Sequence, residues 1–148
     1  MDTAPLLEVK NLSVAFHHDP AVNDISFHIN AGETLGLVGE SGSGKSVTSL
    51  ALLRLLPSIA QVTGNIALAG ESLLSLPEES MRRHRGRTLS MIFQEPMTAL
   101  NPVMPIGRQI AEAIEAHHPS ASRKSIKEKV LQAMHEVALP NPEARTPL

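Results

Sequence analysis

The stretch GLVGESGSGKS, residues 36–46, gathers four glycines and three serines around one lysine. Gly39, Gly44, Lys45 and Ser46 satisfy the spacing G-x-x-x-x-G-K-[ST]. A loop this poor in side chains exposes its backbone, and consecutive N–H groups from Ser41 to Ser46, turned inward, would bind phosphate oxygens. The positive end of a helix starting near Lys45 would add to that field. Lys45 would reach the terminal phosphates of a nucleoside triphosphate, and the Ser46 hydroxyl would ligate Mg²⁺. The whole run Gly39, Glu40, Ser41, Gly42, Ser43, Gly44, Lys45 and Ser46 is therefore the candidate phosphate-binding set. A flexible Gly/Ser turn with a solvated lysine is the duller alternative, and it accounts for neither the spacing nor the flanking elements.

Those flanking elements are what must position the loop. Val14 and Phe16, then Ile25, Phe27 and Ile29, alternate with polar or small residues, which predicts two antiparallel strands joined around HHDP. AGE, 31–33, predicts a turn, and the apolar TLGLV, 34–38, predicts a strand covered on both faces. SVTSLALLRLL, 46–56, predicts a helix closed by Pro57. GNIALA, 64–69, returns to strand, a short helix follows near EESMRRHRG, and TLSMIFQ, 88–94, predicts a second buried strand. EPMTALNPVMP carries three prolines and cannot be regular; beyond it, residues 106–117 and 122–138 predict amphipathic helices, the second with Ile126, Val130, Met134 and Val137 on one face. The proline-rich end, PNPEARTPL, predicts a connection.

Composition narrows the function classes. The chain has 148 residues, 42% of them hydrophobic, enough for one modest core. Its 13 basic and 15 acidic residues nearly cancel, so no whole-chain field draws it to nucleic acid or acidic lipid. With three Phe and no Trp or Tyr it lacks stacking platforms for single strands. No cysteine means no disulfide and no thiolate metal site, in keeping with a reducing cytoplasm. No run approaches the roughly 18 apolar residues of a membrane span. RRHRGR, 82–87, beside EE, reads as a solvated face, and the pairs His17–His18 and His117–His118 have no ligand company, so no metal is assigned to them.

GESGSGKS followed by MIFQEPMTALNP resembles the ATP-binding subunit of ABC transporters, and the second stretch is similar to the branch serving peptide-type importers, whose cargo includes oligopeptides, dipeptides, nickel, glutathione and microcin-like solutes. The resemblance covers the chain but only the N-terminal part of the family's domain. It implies an α/β phosphate-loop ATPase core with an antiparallel β subdomain and the start of a helical subdomain. Residues 1–94 would form the β subdomain and phosphate-loop core, and residues 95–148 the Q-loop and the first part of the helical subdomain. It also implies ATP and Mg²⁺ as ligands, with Gln94 at the Q-loop position, touching Mg²⁺ and the attacking water and linking nucleotide to membrane subunit. Phe16 falls where an aromatic side chain stacks on adenine, a role favoured over its duller alternative of filling the inner face of its strand. The implied partners are transmembrane permease subunits, a second ATP-binding domain and, indirectly, a solute-binding protein, with no nucleic acid; the implied location is the cytoplasmic face of the inner membrane, as a peripheral subunit.

After Gln94 no apolar strand ends in Asp or Glu, and no LSGGQ-like signature, Walker B strand or switch histidine occurs. The expectation is a truncated transporter ATPase that binds ATP and Mg²⁺ and does not hydrolyse it alone. Another phosphate-loop NTPase would share the loop, but neither N-K-x-D nor an arginine-rich lid is present. A non-catalytic interaction remnant, binding a partner through the helices at 106–138, is the other alternative.

Overall fold

A computed structural model describes residues 4–94 and 100–146, and the chain falls into two compact units, 1–85 and 86–148. In the first, β1 (Leu7–Phe16) and β2 (Asp19–Ile29) form the expected hairpin, turning at His17 and His18. β3 (Ala60–Leu68) pairs antiparallel with the other side of β1, four residues longer at its start than the sequence pattern indicates, and β4 (Glu71–Ser72) completes the order β2-β1-β3-β4. The buried positions of β1 are Leu7, Val9, Leu12 and Val14, so the two-residue alternation slips once. Asn11, at φ 51°, absorbs that slip. A bulge there leaves ladder groups open, and side chains close them: Asn11 N–H donates to Ser26 Oγ at 2.8 Å, Asn11 Nδ2 to Asp24 Oδ1 at 2.8 Å, and Asp24 N–H to Ser13 Oγ at 2.9 Å. Opposite the bulge only glycine fits, because a Cβ on Gly64 would lie 2.4 Å from Asn11 O.

Helix α1 (Lys45–Leu52) lies against β1 and β2, burying Thr48 and Ala51. It ends four residues before the sequence pattern suggests. Arg54 takes φ 51°, its N–H bonds Ala51 O at 3.0 Å and Leu55 N–H bonds Leu50 O at 2.9 Å, a Schellman stop formed without glycine. Arg54 can hold that strained position because its guanidinium donates to Leu73 O at 3.1 Å and Leu76 O at 2.6 Å. Helix α2 (Glu78–His84) carries acids in its first turn and bases in its last, matching its dipole, and buries Met81.

Within RRHRGR, Arg85 is not a solvated residue. Its Nε donates to Leu53 O at 2.7 Å and its Nη2 to Arg54 O at 3.2 Å, capping the end of α1, while its Nη1 pairs with Glu78. The hydrogen bond from Arg85 holds the Glu78 carboxyl below its ordinary value of 4.5; slight desolvation opposes this, and the charges of Arg85, Arg54 and Arg82 reinforce it. A carboxyl with a depressed folded-state pKa stabilises the fold above its ordinary pKa, and that contribution fades as the pH falls through the lowered value. Glu78→Gln is thus expected to flatten the acid limb of stability below about pH 4.5 while leaving the slope near pH 7 unchanged. Thermal unfolding across that range checks this, and parallel acid limbs for the two proteins would refute it.

The segments 34–38 and 88–94, expected as buried strands, are not strands. The four-stranded sheet includes neither, and Val38 and Ile92 are 94% and 97% exposed. An apolar segment becomes a covered strand only when a ladder partner satisfies its backbone and layers cover both faces, and neither condition is met among the described residues.

In the second unit, α3 (Ile106–His117) and α4 (Arg123–Glu136) match their expected spans closely. Ala111, Ile126, Val130 and Met134 make the core, flanked by Ile106, Ile110, Ile114 and Leu139. Val137, expected on the same face, caps α4 and stands 74% exposed, because the helix has ended by then. The proline-rich end is not a loose connection as far as Thr146. It forms a 3₁₀ turn, Glu143–Arg145, and the buried Thr146 Oγ1 donates to Pro142 O and lies 3.6 Å from Met134 Sδ. Gly107 permits that approach, since a Cβ there would sit 2.9 Å from Arg145 O.

Candidate nucleotide-binding site

Gly42 and Gly44 adopt φ 81° and 87°, the left-handed conformation that glycine takes without strain, and they curl the loop into the first turn of α1. Three contacts tighten the curl. Ser43 N–H bonds Glu40 O at 3.2 Å, a Cβ on Gly39 would lie 2.5 Å from Ser43 Oγ, and a Cβ on Gly44 would lie 2.4 Å from Ala21 O of β2. Each glycine of the motif spacing is thus a position where a side chain would occupy the space the loop needs. Thr48 locks the junction behind it, its N–H and Oγ1 both donating to Gly44 O, at 2.8 and 3.0 Å.

Lys45 turns back over this loop. Its Nζ donates to Gly39 O and Glu40 O at 2.6 Å each and to Ser43 Oγ at 3.1 Å, so all three ammonium protons are held within the loop. A compact positive charge is thereby fixed at the mouth of a ring of main-chain groups. The first-turn N–H groups of α1 have no intrahelical acceptors. Ser46, in that same turn, is exposed and presents the hydroxyl oxygen that a hard divalent cation prefers. Donor type, loop shape and charge therefore suit a phosphate chain with its Mg²⁺.

Phe16 ends β1, half-buried, opposite Asp19 on β2 and Ala60 on β3. It shares its unit with the loop. Gln94 is exposed and belongs to the second unit, and Glu95 to Ala99 of the adjoining EPMTALNP lie outside the described residues. Beyond them, a residue that the sequence did not single out organises the chain: Gln109 on α3 accepts from Asn101 N–H at 2.8 Å and donates to Asn101 O at 2.9 Å and Met104 O at 2.8 Å. A lone glutamine in the first turn of a helix carries no motif, so nothing in the sequence marks it.

A glycine loop closing on the first turn of a helix, with its lysine folded over the main chain, defines the phosphate-loop class of nucleotide-binding α/β proteins. The profile of the ABC transporter family matches residues 22–147, and the chain belongs to that family. It is 43% identical over 147 residues to the oligopeptide transport ATP-binding protein OppD of Mycobacterium tuberculosis, covering 97% of this chain and 24% of that one. It is 45% identical over 146 residues to a probable peptide ABC transporter ATP-binding protein, y4tR, of Sinorhizobium fredii, covering 95% and 43%. Among solved structures, the ATP-binding subunit of an ABC transporter superimposes with a TM-score of 0.68 at 26% identity, over 95% of this chain and 52% of that one. The chain thus spans from about a quarter to about half of the length of these relatives. Among the described residues, no helix is long and apolar enough to cross a membrane.

Proposed function

We propose that this chain is the nucleotide-binding part of an ATP-driven importer of peptides or similar small solutes, acting at the cytoplasmic face of the membrane beside permease subunits and a second ATP-binding domain. The observation that carries the reading is Lys45, whose ammonium is already seated at the mouth of the loop on Gly39 O, Glu40 O and Ser43 Oγ. The residues from Gly39 to Ser46 cradle the phosphates of ATP through main-chain N–H groups, Lys45 exchanges its loop acceptors for the terminal phosphate oxygens, and Ser46 supplies a hydroxyl ligand to Mg²⁺. When bound, Mg²⁺ neutralises phosphate charge. Phe16 stacks on the adenine, and Gln94 reports the state of the terminal phosphate to the permease. Further along, Pro102, Pro105 and the grip of Gln109 on Asn101 and Met104 limit how residues 101–105 can absorb such a motion.

After Gln94 the sequence shows no apolar strand pattern ending in Asp or Glu to share Mg²⁺, and on this reading the chain binds ATP without turnover above background. Hydrolysis that survives purification and disappears in Lys45→Ala would contradict this part of the reading. The roles of Phe16 and Gln94 separate in a subunit of full family length reconstituted with permease in vesicles. Phe16→Ala is expected to weaken ATP binding by about ten-fold, the worth of one stacking contact, whereas Gln94→Ala leaves affinity within a few-fold and depresses uptake strongly. Normal uptake with Gln94→Ala removes the coupling role.

A further inference from the structure

Helix α1 carries the glycine loop at one end and is gripped from outside at the other. With eight residues it is about 12 Å long, well short of the length at which a helix is stable alone in water. Its last turn holds no base to meet the negative end of its dipole. Two guanidinium groups supply that charge. Arg85 Nε donates to Leu53 O at 2.7 Å and its Nη2 to Arg54 O at 3.2 Å, while the Arg54 side chain ties the same turn to Leu73 O and Leu76 O. The Arg85 side chain is 20% exposed, and Glu78 engages its third nitrogen, Nη1. The turn so gripped is strained, because Arg54 sits at φ 51°, a conformation that a residue with a Cβ disfavours. At the other end Gly44 O accepts from both N–H and Oγ1 of Thr48, which fastens the loop to the helix. Arg85 is also the last residue of the first unit. The chain leaves it through Gly86, at φ 82°, whose N–H bonds Leu89 O at 2.8 Å, and reaches Gln94 five residues after Leu89.

We propose that Arg85 is a positioning residue for the glycine loop, and that it passes the occupancy of that loop to residues 86–89, an inference that rests on the loop binding ATP. Phosphate oxygens drawn onto the first-turn N–H groups of α1 pull on the loop and along the helix axis. A helix this short moves as a rod, so the displacement arrives at Leu53 O and Arg54 O. The planar fork of Arg85 follows both carbonyls at once, and its own backbone carries the displacement into Gly86. The Arg54 turn provides the second state that such a relay needs, since it relaxes from φ 51° once its carbonyl is released. This route towards Gln94 requires no contact between Gln94 and the nucleotide.

The test follows amide resonances of the intact chain as ATP with Mg²⁺ is added, with the Arg85 Nε–H resonance as a direct probe of the grip. In the wild type, saturable shifts at 39–46, at Leu53 and Arg54, at Arg85 Nε–H and at 86–89 are expected on one binding curve. Arg85→Met keeps a long unbranched side chain and removes its donors. ATP affinity is then expected to weaken about three- to ten-fold, and the shifts at 86–89 to be lost even at saturation. Arg85→Lys returns a charge and a donor to the helix end and is expected to restore only part of them. A purely structural Arg85 would lower Tm and leave the 86–89 shifts in place at saturation, and so would a direct effect of nearby nucleotide. Shifts at 39–46 with Arg85 Nε–H and 86–89 unmoved in the wild type, or undiminished 86–89 shifts in Arg85→Met, would overturn the relay and leave the ATP site standing. Absence of any saturable shift at 39–46 would remove the ATP site and the relay with it. If Arg85→Met does not fold, Arg85→Lys decides: reduced shifts at 86–89 support the relay, and shifts as large as those of the wild type overturn it.

Discussion

Replacing Lys45 by Ala is expected to weaken binding of ATP with Mg²⁺ by about ten- to a hundred-fold in titration calorimetry, because a charge-assisted hydrogen bond contributes about 1.5–3 kcal/mol. The effect is large for a structural reason. The Nζ atom makes three hydrogen bonds at the mouth of the loop, so the side chain is already ordered when it exchanges those acceptors for phosphate oxygens and little further ordering entropy is spent. Lys45→Arg keeps the charge, but a bulky planar guanidinium does not fit as a compact ammonium does between the loop and the terminal phosphates, and it is expected to recover only part of the loss. Unchanged affinity in Lys45→Ala would remove the phosphate-binding role from this loop.

Gly44→Ala is expected to damage both folding and binding. The position holds φ 87°, which costs a residue with a Cβ about 1–3 kcal/mol, and that Cβ would lie 2.4 Å from Ala21 O and 3.0 Å from Val22 Cγ2. The loop must then move off β2, taking the first turn of α1 with it, since Thr48 is anchored on Gly44 O. Tm is expected to fall by roughly 4–8 °C for each kcal/mol lost, with ATP affinity falling in parallel. Gly42→Ala provides the contrast, because no atom lies within 4 Å of its Cβ position and only the backbone strain at φ 81° remains. Equal losses at the two glycines would show that packing against β2 does not hold the loop in place.

The site was more legible in the sequence than the sheet around it. Lys45 and the glycines of the candidate site stand out by spacing alone, because a loop proposed to bind phosphate through main-chain groups needs those residue types at those steps. The hairpin of β1 and β2 followed from alternation, and α3 from the amphipathic pattern of 106–117 beyond the proline-rich stretch. Residues 34–38 and 88–94 misled because their composition speaks of burial without saying what supplies the neighbouring strands. The end of α1 misled because Leu53, Leu55 and Leu56 continue an apolar run, while what stops the helix is Arg54 and Arg85 reaching carbonyls distant in sequence. Asn11 likewise gave no local signal, since its bulge is held by Ser26 and Asp24 on the partner strand.

The most direct test is an amide-resolved titration of the intact chain with ATP and Mg²⁺, observing residues 39–46 together with the Lys45 ammonium. Saturable shifts from Gly39 to Ser46, with the Lys45 Nζ leaving its carbonyl partners for the nucleotide, are the predicted result. Resonances of residues 39–46 that stay unmoved while nucleotide binds elsewhere on the chain, or while none binds, would contradict it.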